Sequence, residues 1–484
     1  MNFPEGLPIG SGWIPAPSTA PVHFPYDGSV VAQAPIGTVD LARQALENAL
    51  SVRAEVGRLP SHVRRRALQG ALSALAAQRD AFVDLLVLET GKPLVDCRVE
   101  VERTLLTLET SAEEVARLHG ETVPLDLLPS GDGLQGFWIR KPIGVVVGIT
   151  GFNYPLLLAS HKLAPALAAG CPVIIKPAPQ TPLATLWLVH LVREALVAAG
   201  APPAAVQLVT GGPEVGATLT TDRRIGAVSF TGSATVGHQI ARDAAPTKVL
   251  LELGSNSALV VAADANLPAA ADAVVRGGYY ASGQACISIQ RVIVLESVRK
   301  DFEAALNERI QKVIVGDPRS PDTQISKLID ERATARVQDW LLQASRAGAA
   351  VATAGSQVDG VLGPVMLIDV PDGQPAWDEE IFGPVIALRS VPDLATAFDT
   401  VNASRYGLHT SVFTSSLETA FAAIDQLDVG GVVVNEVPGF RSDVMPYGGV
   451  KDSGTGREGP RFAIEELTTT RMAIIRPKPL PPKP

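Results

Sequence analysis

The sequence predicts an α/β protein with more than one domain, built on parallel sheets. Three observations carry that expectation. The 484 residues exceed what a single hydrophobic core normally organises. Short runs of Val, Ile and Leu alternate with amphipathic helical stretches, the pattern of buried parallel strands joined by helices. The chain is 46% hydrophobic and 19% charged, the balance of a packed globular protein. Its aromatic share of 5%, with much Ala, Gly and Val, suits many short strands and turns.

Taken in order, the Pro- and Gly-rich start reads as irregular or edge-strand chain. From Asp40 to about Leu118 the periodicity is helical. Glu121 to Gly144 reads as two strands joined by Ser130-Gly-Asp-Gly133, an extended hairpin leaving the body of a domain. The alternation then begins. GVVVGI (Gly144–Ile149) is a strand, followed by a helix from Pro155 to Ala169. PVIIK is a second strand, followed by a helix from Thr181 to Ala199. AVQLVTG and AVSFTG are the third and fourth, the latter entering a helix at Ser233, and KVLLELG is the fifth. A second round after Ser255 comprises SALVVA, a helix through Ala281, RVIVLE and a helix to Val313. GGVVVNE is a late buried strand, and the final LPPKP reads as a loose tail.

Composition excludes several classes of function. The formal charge is −9 with dispersed Lys and Arg, so no basic stripe exists for nucleic acid. The apolar stretch Tyr154 to Ile175 is broken by His161, Lys162, Pro165 and Pro172, which argues against a membrane span. The opening MNFPEGLPIGSGW has no secretory pattern. Three cysteines, Cys97, Cys171 and Cys286, have neither metal-like nor disulfide-framework spacing. No metal is expected, and a cytoplasmic setting is.

Several residues have chemical potential, each with a plainer alternative. Cys286, in GGYYASGQACISIQ, sits on a Gly-containing turn where a thiol can be exposed and backbone N–H groups can face an oxyanion. It also reads as a small buried hydrophobe. Glu252 ends an apolar strand, where partial desolvation would raise its pKa and suit a general base, or it faces solvent. Asn153 lies at a strand-to-helix junction as an oxyanion donor or as a helix N-cap. Gly232 and Ser233 open a helix whose N-terminus can hold a phosphate, although this is no GxGxxG fingerprint. Lys176 follows a strand end, where open α/β sheets bind ligands, or is a solvated charge. Glu380 and Phe382 form an ordinary acid–aromatic loop pair.

Together the motifs resemble the aldehyde dehydrogenase superfamily. ETGKP, GITGFNYP, VIIKPAPQTP, SFTGS, LELGSNS, GQACIS, EEIFGPV and PYGGVKDSG occur in that family's order between Glu89 and Gly459. The resemblance implies an aldehyde dehydrogenase-like fold: a Rossmann-like cofactor domain (1–120 and 141–252), an α/β catalytic domain (253–445) and a small β oligomerisation element with C-terminal tail (121–140 and 446–484). It implies that Cys286 attacks an aldehyde, that Asn153 and the Cys286 N–H hold the oxyanion, and that Glu252 activates the water that hydrolyses a thioester. NAD or NADP would be held by Ile149, Thr150, Lys176, Ala178, Pro179, Gly212, Phe230, Gly232, Ser233, Leu253, Glu380 and Phe382.

Three positions depart from the family's usual wording. Phe152 replaces Trp, Ser255 replaces a second Gly, and Pro179 stands where NAD-preferring relatives often carry Glu. Pro179 can neither grip a ribose nor repel a 2′-phosphate, so NADP should be tolerated. The wording ELGSNS, GQACIS and FRSDVMPYGGVKDSG resembles a branch acting on small aldehydes, lactaldehyde- and phosphonoacetaldehyde-type substrates included. Tyr154, Leu158, Ile287, Phe440 and Tyr447 should line the substrate tunnel. Arg441, or Arg103 from an earlier helix, could clamp an anionic tail; the plainer alternative is an Arg that pairs with Asp443 or faces solvent. A CoA-acylating enzyme of the same fold is a rival that Glu252 argues against. A silent structural or binding protein is another, against which Cys286, Asn153 and Glu252 all stand. The hairpin leaves unpaired edges, so a homodimer or homotetramer is expected.

Overall fold

In the computed structural model, which describes residues 4–354 and 358–477, helices pack on two separate, largely parallel sheets. The LPPKP stretch lies outside the described residues. Helices Val39–Val56, Ser61–Ala76, Arg79–Thr90 and Leu94–Glu114 fill the segment read as helical. Their ends follow local chemistry. The Thr38 hydroxyl accepts from the Leu41 N–H at 3.3 Å and caps the first helix. Gly91, with φ 70°, closes the third in the left-handed region.

The first large sheet has the spatial order Gly454–Thr455, Lys248–Glu252, Ala227–Thr231, Val146–Ile149, Val173–Lys176, Val206–Leu208. All pairings are parallel except that of Gly454–Thr455. Val146, Val147, Val173, Ile174 and Ile175 are fully buried, which is why these strands read as continuous apolar runs. Strand order reverses on either side of Val146–Ile149. A crevice opens at such a switch point, outside the carboxyl ends of the strands.

The second sheet runs Ala350–Ala354, Val365–Ile368, Val385–Val391, Arg291–Leu295, Ala258–Val261, His409–Phe413, Gly431–Val434. Only its Ala350–Ala354 edge is antiparallel. Alternate side chains feed two cores. Val260, Ile293, Ala387 and Val412 meet Trp377 and Phe398 on one face. Leu259, Val292, Leu388 and Phe413 meet Tyr279 and Phe302 on the other.

The hairpin forms with a shorter first strand than expected, and residues 124–134 connect it to the second. Glu121–Val123 pairs antiparallel with Gln135–Pro142, which also pairs along its whole length with Thr468–Ile475. Within the stretch 446–484, the other described elements go elsewhere. Gly454–Thr455 joins the edge of the first sheet beside Glu252, and helix Pro460–Glu466 packs on helix Pro155–Ala169. That pairing carries the PYGGVKDSG segment to the crevice.

Three expected elements are corrected. Gly431–Val434, read as a buried strand, is half-buried because it lies at the edge of the second sheet with one neighbour. The helix read to Val313 ends at Ile310. The helix of the second round ends at Tyr279 rather than Ala281. Ala281, Ser282 and Gly283 follow with φ of 48°, 57° and 73°. Three successive left-handed residues cannot continue a right-handed helix. Outside bonds hold them: the Ala281 N–H donates to Asp96 Oδ2 at 2.9 Å, and the Ser326 N–H donates to Ser282 Oγ at 2.9 Å. Gly283 must be glycine, since a Cβ would press into the Gly383 carbonyl. The chain therefore turns sharply just before Cys286.

Candidate active site

A cavity of about 760 Å³ collects the ends of these elements. Asn153, Tyr154 and Leu158 line it from the junction after Val146–Ile149 and the helix that follows. Gly232, Ser233, Glu252 and Leu253 line it from the next two strand ends, and Cys286 and Ile287 from the strained turn. Glu380, Phe382, Arg103, Arg441 and Tyr447 complete this part of the wall. Phe440 does not join them. It is 54% exposed, held by its N–H donating to the Val437 carbonyl at 3.0 Å.

Cys286 is half-buried, and burial pushes its thiol up to about 12 against a smaller opposing effect of the Tyr447 hydroxyl. That hydroxyl lies 3.3 Å from Sγ. Asn153 Nδ2 donates to the Gln284 carbonyl at 2.8 Å, leaving its second N–H available. The Asn153 carbonyl accepts from Lys92 Nζ at 2.7 Å. Lys92 pairs with Glu100 inside the protein, and Glu100 Oε1 accepts from the Leu156 and Leu157 N–H groups at 2.9 and 3.2 Å. The first turn of helix Pro155–Ala169 is thus capped by a carboxylate from another helix. Glu89 of ETGKP does the same for helix Leu183–Ala199, accepting from Leu183 and from the Ala184 N–H at 3.1 Å.

Glu252 is buried, with Oε2 lacking any hydrogen-bond partner among the described residues. Burial drives its pKa well above the usual carboxylate range, and Glu458 adds repulsion that Arg441, Lys162 and Arg457 offset in part. Such an unpartnered carboxyl is poised to take a proton.

Behind the cavity lies a buried charge layer. Arg103 holds Asp443 through two nitrogens, at 3.0 and 2.8 Å. Arg441 reaches Asp443 at 3.3 Å and Glu458 at 3.2 Å. Arg441 therefore makes the expected pair with Asp443, and it also lines the cavity. His161 sits between the same acids, 3.3 Å from Asp443 and 3.1 Å from Glu458. Lys162 reaches Glu458 at 3.5 Å and donates to Thr231 Oγ1 at 2.7 Å. Asp443 and Glu458 do not line the cavity, whereas Arg103, His161 and Arg441 do. Among the described residues, neither arginine's Nη1 has a hydrogen-bond partner. On this side the wall presents the Arg103 and Arg441 guanidinium groups, with Asp443 and Glu458 behind them.

Of the expected cofactor residues, Gly232, Ser233, Leu253, Glu380 and Phe382 line the cavity, and Ile149, Thr150, Lys176, Ala178, Pro179, Gly212 and Phe230 lie outside its lining. Ile149 and Thr150 end the central strand, and the buried Thr150 Oγ1 has no partner among the described residues. Lys176 is buried at the end of Val173–Lys176 without a hydrogen-bonding partner there, and burial lowers its pKa despite Glu214 nearby. Ala178 and Pro179 follow it into increasingly exposed chain. Gly212 precedes helix Pro213–Thr220. Phe230 is buried beneath Gly232, where a Cβ would meet its ring at 2.6 Å. Ser233 is the N-cap of helix Ala234–Ala244 but makes no side-chain cap bond, so that helix end is open toward the cavity. Glu380 accepts from the Ser255 N–H at 3.0 Å and is raised to about 7 by burial. Phe382 meets Phe152 edge-on at 5.7 Å.

These groups fit a dinucleotide. An unpaired buried ammonium suits ribose hydroxyls, an open helix N-terminus suits a pyrophosphate, and a buried carboxyl suits a second ribose.

Comparison with known proteins agrees with this geometry. The aldehyde dehydrogenase family model matches residues 13–473, and the chain belongs to that family. A 3-sulfolactaldehyde dehydrogenase of Priestia aryabhattai is 36% identical over 97% of this chain and 98% of its own. Aldehyde dehydrogenase 21 of Physcomitrella patens, solved with the reaction product succinate, superposes with a TM-score of 0.93 at 32% identity, covering 98% of each chain. The NADP-dependent glyceraldehyde-3-phosphate dehydrogenase of Bacillus halodurans C-125, solved with NADP, also gives 0.93 at 32% identity, over 98% of this chain and 99% of that one. The fold is that of the aldehyde dehydrogenases, and the protein is an oxidoreductase using a nicotinamide cofactor.

Sequence reasoning missed the charge layer and the buried caps. His161 and Lys162 were visible only as interruptions of an apolar helix. Two adjacent ionisable residues in a wholly buried helix are themselves a signal of paired charges within the protein.

Proposed function

We propose that this protein oxidises a small anionic aldehyde to its carboxylic acid through a thioester on Cys286. The observation that carries the proposal is the placement of Cys286, Asn153 and Glu252 on one cavity that Arg103 and Arg441 also line. Cys286 Sγ bonds to the aldehyde carbon, and the carbonyl oxygen becomes an oxyanion. The free N–H of Asn153 and the Cys286 backbone N–H receive that charge. Lys176, Ser233 and Glu380 would hold the nicotinamide dinucleotide, with Ile149, Thr150, Ala178, Pro179, Gly212, Phe230, Leu253 and Phe382 shaping its bed. When bound, it supplies the hydride acceptor. Collapse of the tetrahedral carbon leaves a Cys286 thioester. Glu252 then takes a proton from the water that attacks this thioester, releasing the acid and the free thiol.

Tyr154, Leu158 and Ile287 enclose the aldehyde. The Nη1 groups of Arg103 and Arg441 bind its anionic tail, for which a carboxylate, sulfonate or phosphate has the needed charge. The sulfolactaldehyde specificity of one relative and the succinate bound in another favour this reading. Because Pro179 offers no carboxylate, both NAD and NADP are accepted. The first sheet with its helices forms the cofactor domain, the second the catalytic domain, and the three-stranded sheet an oligomerisation element. The three unpaired cysteines suit a reducing, cytoplasmic setting.

A panel of short-chain aldehydes, anionic and neutral, assayed with NAD⁺ and with NADP⁺, tests the proposal. The expected result is a kcat/KM for anionic aldehydes at least ~10-fold above neutral ones of equal length, a preference that falls in Arg441→Met. Equal rates on both classes, unchanged in that variant, would remove the anionic assignment.

A further inference from the structure

The Tyr447 hydroxyl is the one side-chain polar group at hydrogen-bond distance from Cys286 Sγ among the described residues, at 3.3 Å. Tyr447 is 3% exposed and has little freedom to leave. Its N–H donates to the Glu458 carbonyl at 3.1 Å, and the Glu458 N–H donates back at 2.7 Å. The ring is held from the sides. The Arg441 guanidinium lies 3.8 Å from its centroid, and His409 meets it edge-on at 5.0 Å. No other partner for the hydroxyl exists among the described residues.

The charges around the sulfur pose a problem for a nucleophilic thiolate. Glu252 approaches from the first sheet and Glu380 from the loop after Trp377, and both disfavour a negative sulfur. Tyr280 also faces it from the strained turn. Tyr447 and Arg441, both from the segment 441–447, act in the opposite sense. Burial keeps the Tyr447 phenol well above its ordinary pKa, so it stays a donor throughout the neutral range. A cation against the ring face withdraws electron density and strengthens the O–H as a donor.

We infer that Tyr447 is a further catalytic residue, whose hydroxyl, backed by the Arg441 guanidinium, donates a hydrogen bond to the Cys286 thiolate and stabilises the attacking form of the nucleophile. The thiol proton passes to water, and the phenol keeps its own. The same hydroxyl remains beside Sγ when the thioester breaks and the sulfur regains its charge as leaving group. This inference rests on Cys286 being the nucleophile.

The test is Tyr447→Phe, which keeps the ring, its cation contact and its packing. Alkylation of Cys286 by iodoacetamide, followed on the Cys286 peptide by mass spectrometry across pH, reads the thiolate directly. Loss of one hydrogen bond to a charged group should shift the midpoint upward by about one to two pH units and lower the rate at neutral pH by roughly 10- to 100-fold. Arg441→Met should shift it in the same direction with the tyrosine in place. A Tyr447→Phe profile superimposable on wild type, in protein with unchanged thermal unfolding, overturns the inference. Cys286→Ser separates the two claims. If that variant still oxidises aldehydes, the nucleophile assignment itself fails, whatever Tyr447 does.

Discussion

At the scale of single residues, protonation governs the chemistry. Glu252 can accept a proton only when ionised, yet burial and the charge of Glu458 hold it well above the ordinary carboxylate range. The base form therefore appears as pH rises through that displaced value, and the deacylation rate falls as pH drops below it. The acid limb of kcat, where deacylation limits turnover, should lie clearly alkaline of ~4.3 and vanish in Glu252→Gln. A limb at the ordinary value contradicts this. Stability has the matching sign. The folded pKa exceeds the unfolded one, so the unfavourable contribution is absent below ~4.3 and grows as pH rises toward the folded value. Glu252→Gln should accordingly unfold later than wild type at pH 8, by about 1–2 kcal/mol, with no difference near pH 4. Thermal unfolding at the two pH values measures it. The residue types of the site were legible in the sequence because Asn153 and Glu252 sit in motifs after or at strand ends and Cys286 in a Gly-containing turn between a helix and a strand. Their protonation was not, because it depends on groups such as Glu458 and Lys162 that are distant in the chain.

At the scale of elements, long-range polar contacts decide where helices start and how the nucleophile is presented. The ETGKP motif was legible as a string, but its physical role was not. Glu89 and Glu100 cap helices far along the chain, which no local pattern reveals. Removing the Glu100 carboxylate strips Lys92 of its counter-ion and leaves two helix N–H groups bare. Glu100→Ala should cost about 3–5 kcal/mol in urea unfolding. Adding Lys92→Met should restore part of that loss, because the stranded charge is then gone. A loss below ~1 kcal/mol would mean that water reaches the site. The end of the helix at Tyr279 was missed for a related reason. Ala281 and Ser282 carry no turn signal of their own, and bonds from Asp96 and Ser326 impose their left-handed backbone.

At the scale of the whole molecule, the two-sheet architecture was the most legible feature, since continuous Val/Ile runs and intervening helices encode it directly. Strand order was not, because register between distant parallel strands leaves no local trace. The hairpin was also legible, and its setting suggests assembly. Together with Thr468–Ile475 it forms a small sheet exposing Leu127, Leu128, Met472, Ile474 and Ile475, an apolar surface suited to a second subunit. Sedimentation should find a dimer or tetramer, and Ile474→Lys should shift it toward monomer. A wild-type monomer at micromolar concentration would contradict the assignment.

The central claim is covalent catalysis at Cys286, and intact-mass spectrometry of Glu252→Gln mixed with an anionic aldehyde and NADP⁺ tests it most directly. The account predicts one reduced cofactor per active site in a burst, with an acyl adduct accumulating on the Cys286 peptide and none in Cys286→Ala. Sustained turnover in Cys286→Ala, or a burst without any adduct on Cys286, would contradict it.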